Sequence, residues 1–420
     1  MEKWKSGFRP LPAAQRSLRL VVEASIVFML IALIGCGELA VNTTPPVEEG
    51  EVGNPLPEIS PDLNHATGNT AVILGTDFIV GTLSLIGIDA PRTATPNVQT
   101  THSDAIVKSF GGKIYVVNRL GADNIQVVDP ANWFSVTQQF SVGQGTNPQD
   151  IIVKGSKAFI SLYQPEDSNS PEISTDDILV ANPETGEITA VIDLTPTTAD
   201  DGERLARASS MVMVEKTLFV AIQDLPSGFV GPDQPGKVAV IDTETDTVTG
   251  VIELTGRNPV SMDYSLETGM IYVALADYMD ASSPNGGIEV VDPASGRSRG
   301  IFIDDLLLGG SLGDIEVGGT GPAGGAKGCV TVGYFDEAFN FLTKVVSFDL
   351  DPEGTPVLTN VYQGQGFIND TAVDQNGVLL VGDMDPAVNG TVFVDLTTGE
   401  KIDGPITTGS APYSITFVDR

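Results

Sequence analysis

The chain has 420 residues with 46 Gly and 27 Pro, 41% hydrophobic and 6% aromatic residues, and a formal net charge of −33. Such acidity excludes a nucleic-acid partner, because few cations are available to neutralise phosphates. The turn-rich, apolar composition points to many short strands around a sizeable core, and a large all-β barrel or propeller can use this length as one domain.

The N-terminal 35 residues read as a processing segment. Lys3, Lys5, Arg9, Arg16 and Arg19 precede an apolar run from Ser25 to Ile34 that is short for a bilayer span. The run ends in Leu33-Ile34-Gly35-Cys36, which resembles the lipobox of bacterial lipoproteins. That resemblance implies cleavage before Cys36 and lipid on its sulfur. Gly37, rather than Asp, by the same resemblance implies the outer membrane of the cell envelope. Removing five basic and two acidic residues leaves the mature chain more acidic still, so anionic headgroups should repel the folded part. Residues 36–68 alternate Pro45, Pro46, Pro55, Pro57 and Pro61 with Glu48, Glu49, Glu51, Glu58 and Asp62, the composition of an extended tether. With Cys36 acylated, Cys329 is left as a buried structural thiol with no disulfide partner.

From residue 69 onward one unit recurs. Its plainest copy runs from Asn258 to Gly300: a short strand at Asn258–Tyr264, a turn at Glu267-Thr268-Gly269, the apolar run Met270–Ala276, a polar loop, Gly287–Asp292, a turn, and a last strand near Gly300 to Ile303. Four β-rich runs in about 50 residues is the period of a propeller blade. Apolar runs matching Met270–Leu275 occur at Thr70–Leu74, Lys113–Val117, Ala158–Leu162, Leu218–Ile222, Cys329–Val332 and Val378–Val381. Strands ending in Asp or Asn before a turn also number seven, from Ile86–Asp89 to Phe393–Asp395. The first unit begins at its second strand, while Ala411–Val418 is a first strand with nothing after it. The expectation is therefore an all-β, seven-bladed β-propeller of four-stranded blades over residues 69–420, with the C-terminal strand completing the first blade and protecting the sheet edge.

Tyr115-Val116-Val117-Asn118 and Tyr272-Val273-Ala274-Leu275, with the openings Gly145-Thr146-Asn147-Pro148 and Gly256-Arg257-Asn258-Pro259, resemble the YVTN-repeat family of propellers. The family includes surface-layer proteins, lactonase-like hydrolases and redox propellers, so the resemblance implies a fold and leaves function open.

The long loops between second and third strands, rich in acids, mark one face as the candidate binding face. Aligning first strands places Asp104, Asp150, Ser210, Ser261, Asp314, Asp370 and Ser414 at the channel mouth on that face. Two readings stand. A ring of oxygen ligands suits Ca²⁺, with the four Asp as metal ligands; alternatively each side chain caps a strand by bonding a neighbouring blade's backbone. Arg119, Arg207 and Arg257 fall in loops of the same face, where they can contact an anionic ligand or pair with nearby acids.

No catalytic set is evident. Only His65 and His102 are present, and the mature chain keeps only Trp133, which leaves little for a histidine-ligated metal, a serine–histidine pair or a quinone-cofactor propeller. The leading expectation is a monomeric, non-enzymatic lipoprotein scaffold, bound to the membrane through Cys36 and to a protein or other ligand through its acidic loop face. The alternative is a metal-assisted, lactonase-like hydrolase at the channel mouth.

Overall fold

The computed structural model describes residues 70–164, 178–198, 204–226, 231–277, 285–320, 326–351, 353–374 and 376–418. Cys36, the leader and the tether lie outside them. The described residues form seven four-stranded antiparallel sheets in a ring, a seven-bladed β-propeller.

Blade 1 takes its inner strand from the C-terminus. Ala411–Phe417 pairs with Thr70–Thr76, which is followed outward by Gly81–Gly87 and Ala94–Thr101. Blades 2 to 7 are continuous in sequence, with inner strands Ala105–Phe110, Pro148–Lys154, Ala208–Val214, Pro259–Ser265, Ser311–Thr320 and Ile368–Val373. A two-stranded ribbon, Arg204–Leu205 with Leu225–Pro226, sits beside blade 4.

The core lies between blades rather than at a centre. Seven apolar clusters each bridge one pair of neighbouring sheets. Second strands therefore bury both faces, which is why they read as unbroken apolar runs instead of alternating ones. Cys329 lies in one of these runs, fully buried, and burial raises its thiol well above the usual range.

Blades 1 and 3 to 7 carry a register shift between inner and second strand, beside the channel-mouth position. The shift adds one residue to the inner strand, the geometry of a β-bulge, which re-aims a side chain. Blade 2 has none: Ala105 to Phe110 pair continuously with Asn118 to Lys113.

Candidate functional site: the channel mouth and the loop face

The inner-strand position expected to line the channel forms a belt of bonds from each blade to the next. Asp150 Oδ2 accepts the Met211 N–H at 2.8 Å. Ser210 Oγ accepts the Met262 N–H at 3.1 Å, and Ser261 Oγ that of Ile315 at 3.4 Å. Asp314 Oδ2 accepts both the N–H and the hydroxyl of Thr371, at 3.0 and 2.7 Å. Asp370 Oδ2 accepts the Ile415 N–H at 2.7 Å, and Ser414 Oγ that of Val107 at 3.1 Å. Six of the seven positions thus cap the neighbouring blade's backbone.

The seventh corrects the sequence expectation. Ser414 reaches Val107, and Ile106 faces Val117 as Ser261 faces Ala274, so Ile106 occupies the belt position in blade 2 and Asp104 lies two residues earlier. The absent bulge is the physical reason, since without the extra residue the register of that strand differs from the other six. An isoleucine cannot cap blade 3, and Asp150 compensates: its Oδ1 accepts its own Ile151 N–H at 2.8 Å while Oδ2 serves blade 4.

Asp104 instead holds Arg119. Its Oδ1 accepts from Arg119 Nε at 2.9 Å and from Nη2, which also donates to the Tyr413 hydroxyl at 2.8 Å, while Nη1 donates to Gln149 Oε1 at 3.3 Å. One guanidinium therefore joins blades 1, 2 and 3, where the belt skips a step. Arg207 is fully buried, donates from Nη1 to the Tyr163 carbonyl at 2.9 Å and stacks 5.0 Å from that ring. Its φ of 52° matches the 48° of Asn147 and the 54° of Asn258, which hold the same position before the inner strands of blades 3 and 5. Asn tolerates this left-handed conformation; Arg207 has its aromatic partner instead. Arg257 lies 3.8 Å from Asp277 Oδ2. All three arginines are engaged with the protein's own groups.

Lys108, which sequence reasoning missed, stands one tier deeper, two residues beyond Ile106 as Asp263 stands two beyond Ser261. Asp263 repeats the belt's chemistry there, with Oδ2 accepting the Val317 N–H at 2.7 Å and Oδ1 that of Tyr264 at 2.8 Å. Asp150 foremost, then Asp370, Glu316 and Asp314, hold the Lys108 ammonium protonated well above its usual range. Burial pushes Asp370 up to about 7, with Asp314 adding repulsion, and pushes Asp263 up to about 6. Asp150 and Asp314 move in the same direction for the same first cause. The period-two step from each belt residue was the available signal for this tier.

These residues do not fit a divalent cation. The belt oxygens point at backbone N–H groups, a lysine ammonium supplies the local positive charge, and among the described residues no group of three or more His, Cys, Asp or Glu is placed to hold a metal. His102 Nδ1 lies 3.2 and 3.1 Å from the Asp104 backbone N and O.

The loop face differs from its composition. Connections between second and third strands share it with the inter-blade connections. Among the described residues it exposes Leu306 and Leu307 between blades 5 and 6, Phe335 and Phe339 on blade 6, Val388 on blade 7, and Phe78, Ile79 and Val80 on blade 1. Exposure reaches 60% at Phe339, 67% at Leu307 and 82% at Ile79. These loops are consecutive around the ring. Ring contacts of Phe341 with Phe335 at 5.5 Å and with Phe367 at 6.3 Å continue the arc from blade 6 to blade 7. In blade 1, Phe78 meets Tyr413 edge-on at 6.4 Å.

Comparison with solved structures supports the fold. The chain is similar to a 6-phosphogluconolactonase-like protein of Bacteroides uniformis at 13% identity and TM-score 0.57, covering 83% of this chain and 99% of that one. A counterpart from Bacteroides fragilis gives 14% identity, TM-score 0.56 and coverages of 83% and 98%. Hydrazine synthase of Kuenenia stuttgartiensis gives 17%, 0.52, 69% and 76%. At such identities the likeness concerns the fold alone. No known protein family and no curated protein matches the sequence.

Proposed function

We propose that the protein is a cell-envelope lipoprotein, lipidated at Cys36, whose propeller is a non-enzymatic scaffold binding a protein partner through its loop face. The observation that carries this reading is the arc of exposed apolar side chains on that face, from Leu306 to Val80 by way of blades 6 and 7. Exposed apolar side chains gathered on one face of a fold mark a candidate interaction site. The channel offers less to a substrate, because its carboxylates are committed to neighbouring N–H groups and to Lys108. The lipobox-like Leu33–Cys36 and the acidic tether support the address, and the YVTN-like tetrapeptides support membership of that repeat family.

The test is a photo-reactive benzoylphenylalanine at Glu337, beside Phe339, compared with one at Leu266, in a hairpin of the opposite face. In intact cells a discrete protein adduct is expected at 337, absent at 266 and lost when Ile79→Ser and Phe339→Ser are added. Equal adducts at both positions, or an adduct indifferent to the two substitutions, would contradict the reading. A lactonase-like hydrolysis at the channel mouth is the second reading; it draws on the likeness to the two Bacteroides proteins.

A further inference from the structure

The partner's chemistry is written in how the apolar tips are seated. Each of the four loops sets its tip beside carboxylates. Asp77 precedes Phe78-Ile79-Val80, Asp304 precedes Leu306-Leu307 with the intervening Asp305 buried, Asp336 and Glu337 precede Phe339, and Asp385 precedes Val388. The same carboxylates hold the loops in shape. Asp77 Oδ1 accepts the N–H groups of Ile79 and Val80 at 2.8 and 2.7 Å, and Asp304 Oδ1 that of Leu306 at 2.7 Å. Asp336 Oδ1 accepts those of Ala338 and Asn340, both at 2.8 Å, and Asp385 Oδ1 that of Ala387 at 2.7 Å.

Such turns cost little entropy on binding because they are formed beforehand. They also keep the charge in place. Bonds from the Val80 and Ile79 amides lower the Asp77 carboxyl, and bonds from Asn340 lower that of Asp336, so both stay ionised at neutral pH. An anionic bilayer or a second copy of so acidic a chain meets repulsion at every tip.

Resting on the loop-face reading above, we propose that the partner is a polypeptide whose apolar side chains alternate with Lys or Arg. Its apolar groups bury Phe78, Ile79, Leu307, Phe339 and Val388, and its cations meet the carboxylates seated beside them.

The experiment measures fluorescence anisotropy of three labelled helical peptides with the lipidated chain in zwitterionic nanodiscs. One peptide presents Leu and Lys, one Ser and the same number of Lys, and one Leu and Glu. The Leu/Lys peptide should bind about ten-fold or more tighter than the Lys/Ser peptide, the equivalent of burying one or two apolar side chains. Combining Ile79→Ser with Phe339→Ser should abolish that advantage without lowering Tm. Leu/Glu should not bind. If Leu/Glu binds equally and loses affinity in the double variant, the loop-face site stands and the cationic partner is overturned. If Leu/Lys and Lys/Ser bind alike, or the variant changes nothing, both fall.

Discussion

At the scale of single residues, Lys108 and Asp370 show how a channel lined with acids is tolerated. A buried carboxylate is costly unless it is hydrogen-bonded and offset by opposite charge. Asp370 has the Ile415 N–H and feels Lys108, yet burial and Asp314 still hold it near 7. Its carboxyl is therefore easier to protonate in the folded state than in the unfolded one. The folded chain binds the extra proton, so this group's contribution to stability is present below about pH 4 and is lost as pH rises through about 7. Asp370→Asn keeps an oxygen for Ile415 and removes the charge. It should match wild type near pH 4 and exceed it at pH 8. The gain should be about 1–2 kcal/mol, less than the full shift implies because Asp370 keeps part of its surface open to solvent, which screens its charge. Urea melts at the two pH values check this. A variant less stable than wild type at pH 8 would mean that the ionised carboxylate is needed.

At the scale of elements, the closing strand carries several loads at once. Ala411–Phe417 supplies the inner strand of blade 1, buries Ile415 and Phe417 in the seam with blade 7, gives Ser414 to the belt and Tyr413 to Arg119. Each fully buried large apolar side chain is worth about 1.5–3 kcal/mol, against a whole-domain stability of about 5–15 kcal/mol. A chain ending at Gly409 should therefore lose its cooperative thermal transition and aggregate, as circular dichroism and size-exclusion chromatography would show. A soluble product with a sharp transition would mean that blade 1 tolerates an open edge.

This closure was legible in the sequence because it follows from counting: seven second strands and a surplus first strand. The belt was legible at six positions, because in those blades the same inner-strand bulge sets a short polar residue at the same distance before the apolar run. Asp104 was misplaced because a missing bulge leaves no mark in composition. Lys108 was passed over because a lone lysine in a strand looks solvent-facing until the ring folds it inward. The apolar tips were hidden by the acids beside them, which count as surface charge in sequence and serve as turn caps in three dimensions.

At the scale of the whole molecule, the division between channel and face separates the two functional readings. Asp150, Asp314 and Asp370 each send one oxygen to the next blade's backbone, joining blades 3 to 4, 6 to 7 and 7 to 1, while the exposed loop tips lie outside that belt. Changing Asp150→Asn and Asp314→Asn together tests which part works. Asn at 314 can still accept from Thr371 and can donate to Ser261 Oγ, so it should cost little. Asn at 150 is harsher, since two N–H groups use its two oxygens and an amide offers only one. The orphaned donor should cost about 1–3 kcal/mol, leaving a folded propeller with a lower Tm. A scaffold working through the loop face should then hold its partner, and the crosslink at 337 should persist, because neither residue touches the arc. A hydrolase that relied on these carboxylates to place water or stabilise developing charge should lose turnover of a lactone by about a hundred-fold or more. Persistence of the crosslink with no lactone turnover in either protein supports the scaffold. Loss of a measurable lactonase activity in a variant that still melts cooperatively would move the function into the channel.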